Sequence, residues 1–140
     1  MSFKTIAQPM VEIVRGKMTT VLLVDDDPMQ AIARKAVLER RFEHVVRASD
    51  AAEALGLMEK PQFAGLVDLV ITGLNMPGMD GPAFAQELHT RVPSLPILVL
   101  DTTGETPAVA PGESVRFLGR PFHAEDILAA AAQMLSHAGH

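Results

Sequence analysis

The sequence predicts an α/β protein in which a five-stranded parallel sheet is covered by helices on both faces. Largely apolar runs alternate with amphipathic helical segments five times along the chain, and this order is typical of a right-handed, three-layer (βα)5 arrangement. The runs contain β-branched residues, as expected for strands that are covered on both faces. The 140 residues with 48% apolar content fit one globular domain.

Local signals mark the boundaries of the predicted elements. Asp27 and Pro28 form an N-cap followed by proline at the first helical position, and Asp50 with Glu53 forms a capping box. The predicted strands are residues 20–24, 44–46, 69–71, 96–100 and 115–118. The predicted helices are residues 28–41, a segment from the Asp50 cap that stops at Pro61, residues 82–91 and residues 124–136.

The first predicted helix should bury one apolar face. Ile32, Ala36 and Leu38 lie on or near one side of a helix with 3.6 residues per turn. We therefore expect these three side chains to face the sheet.

Composition and charge exclude several classes of function. A net charge of −5 argues against binding to nucleic acid or to an anionic membrane surface. The chain contains no cysteine, which fits the cytoplasm, and its apolar runs are far shorter than a membrane span. We expect a cytoplasmic protein whose partners are other proteins.

Polar and turn-forming residues follow three of the predicted strands. The stretch DLVITGLNMPGMDG, residues 68–81, is a buried strand that runs into a loop, so residues 73–75 fall at its carboxyl end. Asp25, Asp26 and Asp27 follow the first strand, and Asp101 ends the fourth. In open α/β sheets, ligands bind at the carboxyl ends of the strands, so we expect the functional site at this edge.

Three motifs in the expected order, VDDDP, NMPGMDG and GRPF, resemble the receiver domain of two-component response regulators. The resemblance covers residues 19 to about 135 and implies the flavodoxin-like, CheY-like (βα)5 fold. In the family pattern DLVxxDxxMPGMDG, the phosphoacceptor aspartate falls on Gly73 of this chain. The chain therefore resembles an atypical member that lacks the reactive carboxylate.

The resemblance also implies a magnesium site. The family holds Mg²⁺ with a carboxylate pair, carried here by Asp25 and Asp26, and with the backbone carbonyl two residues beyond the acceptor, here Asn75. Oxygen ligands suit this hard cation, which neutralises phosphoryl oxygens during transfer. Because Gly73 provides no carboxylate, we expect a weakened Mg²⁺ site.

Further departures affect the switch residues that the resemblance implies, which are Asp101, Thr102, Phe117, Arg120 and Pro121. Asp101 stands where the family has threonine or serine, and Arg120 stands where it has lysine. We put forward two interpretations: an Asp101–Arg120 ion pair that holds the pocket in one state, or drifted side chains that point to solvent. Phe117 falls at the family's rotating aromatic position, although core packing is the simpler interpretation.

The segment between Asp101 and Arg120 contains two prolines and two glycines and is shorter than the family usually has. We therefore expect its helix to be short, irregular or absent. Residues 1–17 are an N-terminal extension, for which we put forward a partly ordered arm, an upstream start codon with Met18 as the usual beginning, or a docking segment. Residues 18–137 are the receiver domain and residues 138–140 a tail.

The resulting functional hypothesis is a non-enzymatic pseudo-receiver in phosphorelay signalling. It acts by binding a sensor kinase, another regulator or a second copy of itself. One alternative is a Mg²⁺-binding regulator that is phosphorylated atypically. Another is a small Mg²⁺-dependent phosphatase with Asp25 as nucleophile and Asp27 as acid, although the lysine and later acidic pair that it needs are not evident.

Overall fold

The computed structural model describes residues 18–101 and 114–137 and contains one parallel sheet of five strands. The strands are β1 (Thr20–Val24), β2 (His44–Ala48), β3 (Val67–Gly73), β4 (Ile97–Asp101) and β5 (Val115–Gly119). Their spatial order is β2-β1-β3-β4-β5, and every neighbouring pair is parallel. The predicted fold class is confirmed.

In the described ranges, helices follow β1, β2, β3 and β5 and cover both faces of the sheet. They are α1 (Pro28–Leu38), α2 (Ala51–Met58), α3 (Pro61–Ala64), α4 (Gly81–Arg91) and α5 (Ala124–His137). The sequence did not predict α3, because Pro61 was expected only to end the preceding helix. Pro61 instead begins a single new turn, where its missing N–H is not required by the helix.

The buried side chains form two core clusters, one on each face of the sheet. Alternate residues of β1 divide between them: Leu22 and Val24 pack with α2 and α4, whereas Val21 and Leu23 pack with α1 and α5. This division follows from the strand geometry, in which successive side chains point to opposite faces. The site at the carboxyl edge therefore rests on a sheet that is packed from both sides.

The predicted buried face of α1 was partly wrong. Leu38 is buried, but Ile32 is 64% exposed and Ala36 is also exposed. The buried residues of this helix include Ala31 rather than Ile32, because the helix is rotated by about one residue from the predicted orientation. On this face, the position one turn after Ala31 belongs to Arg34.

Side-chain caps begin α1 and α2 as predicted. Asp27 Oδ1 accepts hydrogen bonds from the N–H groups of Met29 and Gln30 at 3.0 and 3.2 Å. Asp50 Oδ1 accepts from the Glu53 N–H at 2.8 Å, while Glu53 reaches back to the Ser49 N–H. These caps fix where the chain turns from the sheet edge into each helix.

Several expectations lie outside the described residues. They concern the extension 1–17, Thr102, the irregular helix after Asp101 and the tail 138–140. Within the described ranges, no helix combines the length and apolar character that crossing a bilayer requires.

Candidate functional site

A small cavity of about 80 Å³ opens at the carboxyl edge of the sheet, between the ends of β1 and β3. It is lined by Val24, Asp25, Asp26, Gln30, Arg34, Gly73, Leu74, Asn75, Met76 and Leu100. The structure thus brings together the predicted metal residues Asp25, Asp26 and Asn75 with Gly73. The placement follows from the parallel sheet, in which neighbouring strands end at the same edge.

Asp25 is the most constrained polar residue of the cavity, and its side chain is only 3% exposed. Its Oδ1 accepts a hydrogen bond from the Asp27 N–H at 3.0 Å, and its Oδ2 accepts one from Arg34 Nη1, also at 3.0 Å. Its backbone carbonyl accepts two bonds from Arg47, at 2.8 and 3.1 Å. Both carboxylate oxygens are therefore already engaged within the chain.

Arg34 is the residue of this site that the sequence analysis missed. Its side chain is 13% exposed and forms the ion pair with Asp25. Its guanidinium carbon lies 5.8 Å from the centroid of the Phe122 ring, within the range of a cation–π contact. The residue pattern did not indicate this role, because Arg34 shares a helix face with Ala31 and Leu38, whereas the apolar side chains predicted a different buried face.

Asp26 and Asn75 are exposed at the mouth of the cavity, in contrast to Asp25. Gly73 lies at the end of β3, and a β-carbon built there would be 3.4 Å from Met76 Sδ. That distance is an ordinary van der Waals contact, so an alanine-sized side chain fits. A longer side chain at Gly73 requires the flexible Met76 side chain to yield.

The loop after β3 folds back tightly onto the site. Gly78 has a φ of +83°, a conformation that favours glycine, and the Gly81 N–H donates to the Leu74 carbonyl at 2.6 Å. A β-carbon at Gly81 would lie 2.7 Å from the Gly73 carbonyl oxygen. Glycine at position 81 is therefore what allows the loop to close against Gly73.

Asp101 and Arg120 are neighbours through their backbones, since the Arg120 N–H donates to the Asp101 carbonyl at 3.3 Å. Asp101 is 5% exposed, whereas Arg120 is exposed and its peptide bond to Pro121 is cis. Among described residues, the cavity lining includes neither of them, nor Phe117 or Pro121. The side-chain ion pair between Asp101 and Arg120 remains a prediction.

Phe117 is partly buried and packs against the core cluster beneath α2 and α4. This contact agrees with the core-packing interpretation of that aromatic side chain. The position lies on β5, opposite Val99 of β4.

The contacts of Asp27 bear on the phosphatase alternative. Its Oδ1 oxygen caps α1, while the proposed nucleophile Asp25 is paired with Arg34. An acid that delivers a proton to a leaving group must reach the substrate, but this carboxylate already serves the helix N-terminus. The geometry therefore does not favour the phosphatase hypothesis.

The donor set in its present arrangement does not fit a divalent cation. Within residues 18–101 and 114–137, no three His, Cys, Asp or Glu side chains cluster so as to hold a metal. Mg²⁺ prefers octahedral oxygen coordination, and one of the two expected carboxylates, Asp25, is bound to a guanidinium instead.

A doubly wound parallel sheet with Asp25 and Asp26 in a cavity at its carboxyl edge defines a class of small α/β domains that bind ligands or other groups at this edge. The family model described as "Response regulator receiver domain" matches residues 21–132. The chain belongs to the response regulator receiver domain family, as its motifs indicated.

Individual relatives agree with this assignment. The chain is 28% identical over 113 residues to the C4-dicarboxylate transport transcriptional regulatory protein DctD of Pseudomonas aeruginosa, covering 79% of this chain and 24% of that protein. It is 31% identical over 122 residues to the sensor kinase CckA of Brucella abortus, covering 83% and 12%. The chain thus spans a quarter or less of the length of these curated relatives.

Solved structures confirm the fold. A receiver domain from Clostridium thermocellum superposes with a TM-score of 0.76 at 24% identity, covering 86% of this chain and 96% of that chain. The receiver domain of an HD domain-containing protein from Pseudomonas fluorescens Pf-5 superposes with a TM-score of 0.72 at 29% identity, covering 87% and 98%.

Proposed function

We propose that this chain is a pseudo-receiver that acts in two-component signalling through protein–protein contacts and without phosphorylation. The observation that carries the proposal is Gly73, which stands at the end of β3 beside the cavity, where the family pattern has its phosphoacceptor. Glycine has no side-chain nucleophile, so phosphoryl transfer to this position is chemically impossible. The pairing of Asp25 with Arg34 adds support, because it removes a carboxylate from the expected metal set.

The partner in this proposal is a sensor kinase, another regulator or a second copy of the chain, in the cytoplasm. The net charge of −5 disfavours nucleic acid or an anionic membrane as the partner. Because no phosphoryl group enters the site, the affinity for the partner should be the same with and without a phosphoryl donor. For the second copy, sedimentation velocity should give the same distribution with and without Mg²⁺ and acetyl phosphate.

Intact mass spectrometry tests the proposal directly. The wild-type protein and a Gly73→Asp variant are incubated with Mg²⁺ and acetyl phosphate. The wild-type mass should stay unchanged, and gain of one phosphoryl group by Gly73→Asp alone would show that the missing carboxylate is the cause. A phosphorylated wild-type protein would overturn the proposal and favour the atypically phosphorylated regulator, with Asp25, Asp26 and Asp101 as the residues to map.

The Gly73→Asp variant needs a companion because its β-carbon contacts Met76 and because Asp25, which lines the same cavity, is already paired with Arg34. The double variant Gly73→Asp/Arg34→Met releases Asp25 for a metal ion while restoring the acceptor. If the double variant is phosphorylated and Gly73→Asp is not, then Arg34 is the residue that prevents phosphoryl transfer to an aspartate at position 73. The distinction matters because phosphoryl transfer in this chemistry requires a divalent cation beside the acceptor.

A further inference from the structure

Arg34 has an environment that a surface arginine does not have. It lies on the sheet-facing side of α1, one turn after the buried Ala31 and one turn before the buried Leu38. Only 13% of its side chain is exposed. Burying a charge is costly unless that charge is paired, so the partners of this guanidinium define its role.

Two partners hold the guanidinium from different elements. Nη1 donates to Asp25 Oδ2 at 3.0 Å, at the end of β1. The Phe122 ring, which precedes α5, lies 5.8 Å from the guanidinium carbon. A planar, weakly hydrated cation suits this combination of carboxylate and aromatic ring better than an ammonium group does.

The Asp25 carboxylate is held against Arg34 by its own surroundings. Its amide N–H donates to the Ala48 carbonyl at 3.0 Å, and its carbonyl oxygen accepts from Arg47. Its second carboxylate oxygen accepts the Asp27 N–H. With backbone and side chain both fixed, a cation that enters the cavity competes with Arg34 for Asp25 Oδ2.

We propose that Arg34 is the resident cation of this acidic cavity and takes the position at Asp25 that a divalent metal would otherwise take. The guanidinium is tethered through α1, so its effective concentration at Asp25 is high and does not depend on the medium. The charge of Asp25 is consequently compensated without a metal, while Asp26 stays exposed at the mouth of the cavity. This inference goes beyond the proposed function, because it concerns the cation at Asp25 and not the fate of a phosphoryl group.

Titration with MgCl₂ alone, followed by calorimetry at constant ionic strength, tests the inference. Wild-type protein should show no saturable Mg²⁺ binding in the millimolar range. Arg34→Met should show saturable binding, with a dissociation constant at least about tenfold lower than any value that wild type gives. The control is Arg40→Met, since Arg40 pairs with Glu125 at the exposed surface and should leave Mg²⁺ binding as in wild type. Equal Mg²⁺ affinity in wild type and Arg34→Met would overturn the inference.

A second measurement applies even if Arg34→Met folds poorly. In ¹⁵N-edited NMR spectra of the wild-type protein, the side-chain Nε–H signal of Arg34 and the amide signals of residues 25–27 should not shift when MgCl₂ replaces NaCl. Saturable shifts of these signals at millimolar Mg²⁺ would contradict the inference. Acetyl phosphate is absent from both experiments. A result that contradicts the role of Arg34 is therefore distinguishable from a result that contradicts the absence of phosphorylation.

Discussion

Replacing Gly81 by alanine should destabilise the protein through a clash directly behind the cavity. The new β-carbon would lie 2.7 Å from the Gly73 carbonyl oxygen and 3.1 Å from both Leu74 Cα and Val99 Cγ1. The first two atoms belong to the backbone, so a side-chain rotation cannot relieve the contact. Either the loop after β3 or the start of α4 must move.

The expected cost follows from the type of contact. Overpacking of a closely packed site costs about 1–3 kcal/mol. Alanine regains roughly 0.5–1 kcal/mol of helix propensity over glycine in a helix interior, and less at the first helical position that Gly81 occupies. We therefore expect the free energy of unfolding to fall by about 2 kcal/mol, which lowers Tm by roughly 6–10 °C for a domain of this size.

Gly56→Ala is a matched control with the opposite expected sign. Gly56 lies inside α2, is exposed, and has no atom within 4 Å of its built β-carbon. Alanine there should stabilise the protein by about 0.5–1 kcal/mol. Urea denaturation followed by far-ultraviolet circular dichroism is suitable, because the chain has neither tryptophan nor tyrosine. If the free energy of unfolding of Gly81→Ala equals that of wild type, or rises as that of Gly56→Ala does, the clash argument is refuted.

Three other predictions concern a cap, the core and pH. Asp80→Ala removes the acceptor of the Ala83 N–H at the start of α4 and should lower the free energy of unfolding by about 1 kcal/mol, whereas Asp80→Asn should cost much less; equal losses would argue against a capping role. Phe84→Ala empties a fully buried position and should cost about 3–5 kcal/mol in urea denaturation; a loss below about 1 kcal/mol would contradict the packing described. The Thr19 N–H donates to the Glu43 carboxylate at 2.9 Å and lowers its pKa below the ordinary 4.5. The hydrogen bond therefore stabilises the folded protein above pH 4.5, and this stabilisation is lost as the pH falls through the lower pKa of the folded state. As the pH is lowered from 4.5, Tm should fall less for Glu43→Gln than for wild type. Parallel curves of Tm against pH would refute the assignment.

Local signals predicted the architecture well because they act over a few residues. The strands appeared as apolar runs, and the caps at Asp27 and Asp50 fell where the structure has them. Boundaries were less accurate: β3 extends to Val67–Gly73, and α1 ends at Leu38 rather than near Arg41. Strand length depends on neighbouring strands that continue the hydrogen-bond ladder, and local sequence does not contain that information.

The orientation of α1 on the sheet could not be predicted from the hydrophobicity of its residues. Ile32 is more apolar than Ala31, so hydrophobicity alone favoured burying it, yet Ile32 is exposed. The helix turns its small residue towards the sheet, and this brings Arg34 to Asp25. The pairing joins residues of two elements, and its existence depends on the position of the helix on the sheet.

The sequence by itself determined the alternation of strands and helices, the grouping of Asp25, Asp26 and Gly73 at one sheet edge, and the absence of an acidic side chain at position 73. These properties follow from residue types and from the rule that parallel strands end at a common edge. The tertiary structure alone decided that Arg34 occupies the acidic cavity and that Gly81 closes against Gly73. The physical reason is that both contacts depend on how separate elements approach within a few ångströms, which close packing of the whole domain sets.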